Sequence, residues 1–165
     1  MARKDSQLQI RVSGEEKVAI RAAAQRAGMD VSAWVLARAM PPAGRRFREL
    51  VEALDDAAPS SRRFTLAALN DLLSGLPAAA LAQAVGELPA GRRDEWTANY
   101  VAAMVETAAH RCQIAPPDWT ADIAPLAHPW FGSAMPGLRL HLLLAAPPAF
   151  KRRNLFVDST IGDRV

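Results

Sequence analysis

The stretch from Gln7 to Met40, QLQIRVSGEEKVAIRAAAQRAGMDVSAWVLARAM, constrains this chain more than any other. Leu8, Ile10 and Val12 alternate with Gln7, Gln9 and Arg11, the period-two pattern of a half-buried strand. Ser13 and Glu16 come next, at the spacing of a capping box. There the hydroxyl and the carboxylate each satisfy a backbone N–H that the first helical turn leaves unpaired. Ala22, Ala23 and Ala24 favour helix. Gly28 can close that helix in the left-handed conformation, and Asp30 caps a second one from Val31 to about Met40. Pro41 and Pro42 stop it.

Strand, helix, turn and helix in so few residues bury too little surface to stand alone. A lone strand also leaves its backbone N–H and C=O groups without partners. A homodimer meets both demands. Two copies of the strand pair antiparallel, four helices cover one face, and Leu8, Ile10 and Val12 point into a shared core. Gln7, Gln9 and Arg11 then lie side by side on the other face.

With the Ser-Gly-Glu-Glu start at Ser13 and the turn Gly28-Met29-Asp30-Val31-Ser32, these residues resemble a ribbon-helix-helix DNA-binding domain of the Arc/MetJ type, found in bacterial repressors and antitoxins. The resemblance covers roughly the first quarter of the chain. It implies a two-stranded ribbon lying in the major groove of operator DNA. Gln9 would pair with an adenine edge and Arg11 with guanine O6 and N7, flanked by Gln7. Arg3 and Lys4 would touch phosphates, and the N–H groups at Val31 and Ser32 would hold another. A two-fold ribbon reads a palindrome. Such domains often open the second helix with a hydroxyl residue; here that residue is Asp30.

Charge divides in the same place. Residues 1–48 carry ten Lys/Arg against four Asp/Glu, and residues 49–165 carry ten against thirteen. A basic head on a mildly acidic body fits DNA binding joined to another task. The 165 residues therefore divide into a ribbon-helix-helix domain at 1–44 and a partner-binding domain at 45–165. The Met40–Arg46 segment, MPPAGRR, reads as the hinge. The expected fold is mostly α: one strand and two helices in a dimeric head, then an all-α C-terminal domain.

In the body, Phe47, Leu50, Val51 and Leu54 mark a short amphipathic helix, and Ala58–Arg63 reads as a loop. Thr65 caps a helix that Gly75 closes, and Leu76-Pro77 opens the next. The longest helix runs from about Arg92 to Gln113, apolar on two sides and so central to its domain. Ile114–Pro136 is loop-like, with Trp119, Trp130 and Phe131 either plugging the helical core or forming a partner surface. A helix from Leu138 to Ala145 precedes the tail, where Leu155–Val157 form a short strand or an extended segment.

The tail sequence FKRRNLF carries Phe150, Arg152, Arg153, Asn154 and Phe156. It resembles the Phe-x-x-Arg-Asn-x-Phe ending of small bacterial helical proteins encoded beside nucleotidyltransferase-like toxins. That resemblance implies a protein toxin as partner, with these five residues docking on its acidic cleft. The alternative is that Lys151, Arg152 and Arg153 simply favour the negative end of a helix.

Chemistry of other kinds has little footing. His110, His128 and His141 show no metal-ligand spacing, and neither a Cys-x-x-Cys pair nor a glycine-rich phosphate loop occurs. Asp94 and Glu95 are adjacent and splay apart on a helix. No catalytic residue, metal or cofactor is expected. Cys112 is the single cysteine, no apolar run nears the roughly 18 residues of a membrane span, and the charged start MARKDSQ leads straight into the strand. A cytoplasmic protein is expected. Together these features describe an antitoxin of a type II toxin–antitoxin system that neutralises a protein toxin and represses its own operon. The alternatives are a stand-alone repressor with a ligand-sensing or oligomerising helical body, and an enzyme carried on a DNA-binding arm.

Overall fold

Helix α1 (Gly14–Arg26) starts where the sequence places it. Ser13 N–H donates to Glu16 Oε2 at 2.7 Å, and Glu16 N–H donates to Ser13 Oγ at 3.2 Å. It ends at Gly28, whose φ of +64° lets Met29 N–H reach back to Ala24 O at 3.0 Å. A residue with a Cβ would be strained there. Helix α2 (Val31–Ala39) comes after the turn. This computed structural model describes residues 9–39 and 42–158. Contacts divide the chain into two compact units, Met1–Met40 and Pro41–Val165.

The body holds the remaining helices: α3 (Pro42–Asp55), α4 (Pro59–Gly75), α5 (Ala78–Ala84), α6 (Glu95–Arg111), α7 (Arg139–Ala145) and α8 (Pro148–Arg152). Two short strands, β1 (Trp130–Phe131) and β2 (Leu155–Phe156), pair in parallel with Trp130 opposite Leu155 and Phe131 opposite Phe156. The chain is thus mostly α, as expected. The added strand pair ties the tail to the long loop.

Two boundaries differ from the sequence reading. Residues 42–46, read as hinge, form the first turns of α3, while Met40 and Pro41 lie outside the described residues. Proline suits the first turn of a helix, where its missing N–H has no partner to lose. Gly44 approaches the Ala84 backbone, to which an added Cβ would come within 3.6 Å, so residues 42–44 pack as part of the body. Likewise Ala58–Arg63 is not a loop. Helix α4 already begins at Pro59, with Ser61 and Arg62 N–H groups bonded to Ala58 O, and Thr65 lies inside the helix instead of capping it. The polar run there is a helix face, which composition alone reads as a loop.

The core gathers the apolar stripes. Phe47, Val51 and Leu54 of α3 meet Leu69 and Leu73 of α4, and α6 runs through the centre with Val101 and Val105 fully buried. As two-sided apolarity requires, α6 buries residues on most of its circumference, Tyr100 and Ala103 included. Burial pushes the Tyr100 phenol up from its ordinary pKa. Asp94 is the N-cap of α6, accepting from Thr97 N–H at 2.6 Å, so it is not half of an acid pair. Burial alone would raise its carboxyl. The Thr97 bonds and the Arg62 guanidinium at 3.1 Å outweigh that and hold it below the usual range. Arg93 pairs with Asp55 at 3.0 Å, fixing the approach to α6 against the end of α3. Trp119 donates its indole N–H to Val85 O at 2.8 Å, and Trp130 meets Trp96 edge-on at 5.1 Å. These loop aromatics pack on the helical core.

Candidate nucleic-acid interface

The expected base-reading side chains lie on the segment leading into α1, where residues 9–12 form no strand in the single chain, in contrast to the sequence expectation. Gln9 and Arg11 are exposed on the segment before Ser13, whose backbone is itself extended. Arg3, Lys4 and Gln7, the other expected contacts, lie outside the described residues, as does Leu8. Ile10, between Gln9 and Arg11, is 60 % exposed, and Val12 is exposed as well. Half-buried Trp34, Val35 and Leu36 lie on α2. The head therefore carries apolar side chains that its own chain does not cover, alternating with polar ones. Such an alternation is the pattern of a half-buried strand, although residues 9–12 carry no strand in this chain by itself.

Val31 and Ser32 are exposed at the start of α2, where free backbone N–H groups favour anions. The structure places a competitor beside them. Asp30 Oδ1 accepts from Ala33 N–H at 2.9 Å and caps the helix. Its carboxylate puts a negative charge where the resemblance expects a phosphate, so the contact from Val31 and Ser32 is opposed by the residue that makes the helix start.

The tail residues expected to meet a partner are mostly used by the body. Phe150 is buried, edge-on to Tyr100 with ring centroids 5.2 Å apart. Arg153 is only 5 % exposed. Its Nη2 donates to Glu106 Oε1 at 2.5 Å and Thr120 O at 2.6 Å, and its Nη1 donates to Asn99 Oδ1 and Ile123 O at 3.2 Å each. Asn154 turns the chain with φ +57°, a conformation asparagine tolerates, and its side chain donates to Leu126 O at 2.7 Å. Phe156 is half-buried and stacks on Phe131 at 5.1 Å. The side chains of Phe150, Arg153 and Asn154 are thus engaged within the body itself. A guanidinium desolvated beside a buried carboxylate gains more at home than it would by leaving. Arg152 alone stays on the surface, its side chain 71 % exposed and 3.6 Å from Glu106.

Asn99, Glu106 and Thr120 were not singled out by sequence, yet they complete the Arg153 site. A signal existed. Asn99 and Glu106 lie seven residues apart, hence on one face, with only Tyr100, Val101, Ala102, Ala103, Met104 and Val105 between them. Among the described residues no group of three or more His, Cys, Asp or Glu is placed to hold a metal, and no helix is long and apolar enough to cross a membrane.

Compared with known families, residues 2–55 match the model described as NikA-like, Mobilization protein NikA. The match runs through the head and ends with α3 at Asp55. The N-terminal part of the chain is of ribbon-helix-helix, DNA-binding type. No curated protein and no solved structure matches the chain.

This geometry has two measurable consequences. Asp30→Ser keeps a capping side chain and removes the charge, so DNA affinity should rise by roughly threefold to tenfold at low salt, with the gain shrinking as salt is added. Gel-shift titration at two ionic strengths measures it; unchanged or weaker binding contradicts the phosphate placement. Arg153→Ala leaves Glu106 buried without its main partner and should cost about 3–5 kcal/mol of body stability. Arg152→Ala, at an exposed pair, should cost under about 1 kcal/mol. Urea unfolding of both variants gives the comparison.

Proposed function

We propose that this chain is a dimeric DNA-site marker whose helical body brings another protein to the marked site, an accessory role of the mobilization kind. The observation that carries the proposal is the family match over residues 2–55, on a head whose exposed Gln9 and Arg11 flank Ile10 before a capped helix-turn-helix. Two heads pair through this strand and present one outward glutamine–arginine set per copy. The paired set reads an inverted repeat by hydrogen bonds to base edges. Arg3 and Lys4 add phosphate contacts that set affinity without sequence preference. The reading assigns the chain no catalytic step.

An antitoxin and autorepressor is the second reading. It uses the same head on the same kind of operator and differs only in what the body holds. Its particular support is the resemblance of the FKRRNLF tail to proteins encoded beside toxins. Phe150, Arg153 and Asn154 of that tail serve internal packing, which is why the mobilization reading is preferred. A stand-alone repressor would use the same head, with the helical body sensing a ligand or building higher oligomers instead of holding a partner protein.

Selection from random duplex DNA should recover palindromic sites. Gln9→Ala and Arg11→Ala should each weaken the recovered site by about 1–3 kcal/mol and relax discrimination at one base pair per half-site. If both variants bind that site as tightly as the parent chain, the ribbon is not the reader.

A further inference from the structure

Helix α7 turns three leucines outward. Leu140, Leu143 and Leu144 stand at i, i+3 and i+4, so they share one face, while Leu142 points the other way and is buried. Leu140 is 68 % and Leu144 73 % exposed, and Leu138 and Met135 just before the helix are exposed as well. Scattered apolar residues on a surface need no explanation, but a contiguous set on one helix face marks an interaction site.

The edges of this face are charged. Arg139 lies on one side, its guanidinium over the Phe131 ring at 5.4 Å. Lys151 sits at the C-terminal end, with Nζ donating to Leu144 O at 3.0 Å. On the remaining side His141 contacts Asp158 at 2.8 Å, so the acid there is already engaged. The rim is therefore basic at two of its three edges, and the third carries a satisfied pair.

We infer that this face of α7 is the docking site for an amphipathic helix of a partner protein, with an apolar stripe and acidic flanks. The inference rests on the recruiting role proposed above and names the surface that performs it. Leucines at i, i+3 and i+4 supply the ridge that a helix of matching pattern packs against. Acidic flanks on that helix meet Arg139 and Lys151 and steer the encounter. A second copy of this chain fits less well. A two-fold contact brings a patch against itself, so the basic rim of one copy would meet the basic rim of the other and no complementary acid. The face is also only two turns long, short of the roughly 800 Å² per partner that a stable dimer uses. A lipid surface would call for a longer amphipathic helix than seven residues.

The test uses the full chain and a labelled synthetic peptide of about 20 residues, with leucines at i, i+3, i+4 and i+7 and glutamates on both flanks. Fluorescence anisotropy should show saturable binding in the micromolar range. The double variant Leu140→Ser, Leu144→Ser should weaken it about tenfold or more, with the thermal melt and DNA gel shift unchanged. A peptide with lysine for every glutamate should bind at least about tenfold more weakly. Absence of binding, equal binding of the two peptides, or an unaffected double variant overturns the inference. So does sedimentation in which the parent chain forms assemblies larger than a dimer that the double variant lacks. Capture of the chain by anionic phosphatidylglycerol vesicles through these leucines also overturns it. The gel shift run alongside separates the claims. Failure of the peptide with DNA binding intact removes only the docking site, whereas loss of DNA binding by the parent chain removes the reading of the head.

Discussion

A half-buried strand needs a partner strand, and the sequence of the head provides for one strand alone. Gln9–Val12 lead into α1 without a strand partner among the described residues, yet they alternate polar and apolar side chains as only a half-buried strand needs to. Water can satisfy the backbone N–H and C=O groups of this exposed segment, but burying Ile10 and Val12 would take that water away, and the groups would then need a partner strand. The same pairing that satisfies the backbone would bury Ile10 and Val12 and align Gln9 and Arg11 from two copies on one outward surface. If the head dimerises as proposed, assembly and DNA reading are one event. A change at Ile10 that blocks pairing removes the reader even though no DNA contact has been touched.

The body solves a different problem with a buried ion pair. Its tail lies against α6 and the 114–126 loop, with Phe150, Leu155 and Val157 buried in the same core as Tyr100, Val101 and Val105. Arg153 ties them together by reaching Glu106 and Asn99 on the helix and the carbonyls of Thr120 and Ile123 on the loop. The cost of desolvating a guanidinium is offset only when its hydrogen bonds are met with good geometry. Four acceptors meet the two Nη groups, while the buried Nε has no partner among the described residues, and the β1–β2 pair then sets the register of the tail beyond Arg153. Because the pair is costly to break, the tail is held in place, and the surface left for a partner is what the pair does not use.

Much of the head was legible because its signals are local. Ser13 and Glu16 cap α1, Gly28 ends it at positive φ and Asp30 starts α2, each read from spacing of a few residues. The central place of α6 was legible too, since apolarity on two sides admits no other location. What the sequence hid depends on distance along the chain. Arg153 and Glu106 are 47 residues apart, so the basic run Lys151–Arg153 looked like a surface cluster until the fold brought a carboxylate to it. The start of α4 was hidden for a nearer reason. Ser60 through Arg63 are polar whether they form a loop or an exposed helical turn, and composition cannot separate the two. The α7 leucines show the reverse. Their helix was legible, but its sequence is apolar nearly all round, and that three of the leucines stand in solvent shows only in the fold.

The central claim is that the segment before α1 becomes a strand by pairing with a second copy. Amide hydrogen exchange across Gln9–Val12, monitored over a dilution series with the exchange of α1 as internal reference, tests it most directly. An antiparallel ribbon bonds alternate residues, so the account predicts protection at alternate amides, lost together as the chain is diluted below its dimer dissociation constant. Amides in this segment that exchange freely at every concentration, while α1 stays protected, would contradict it.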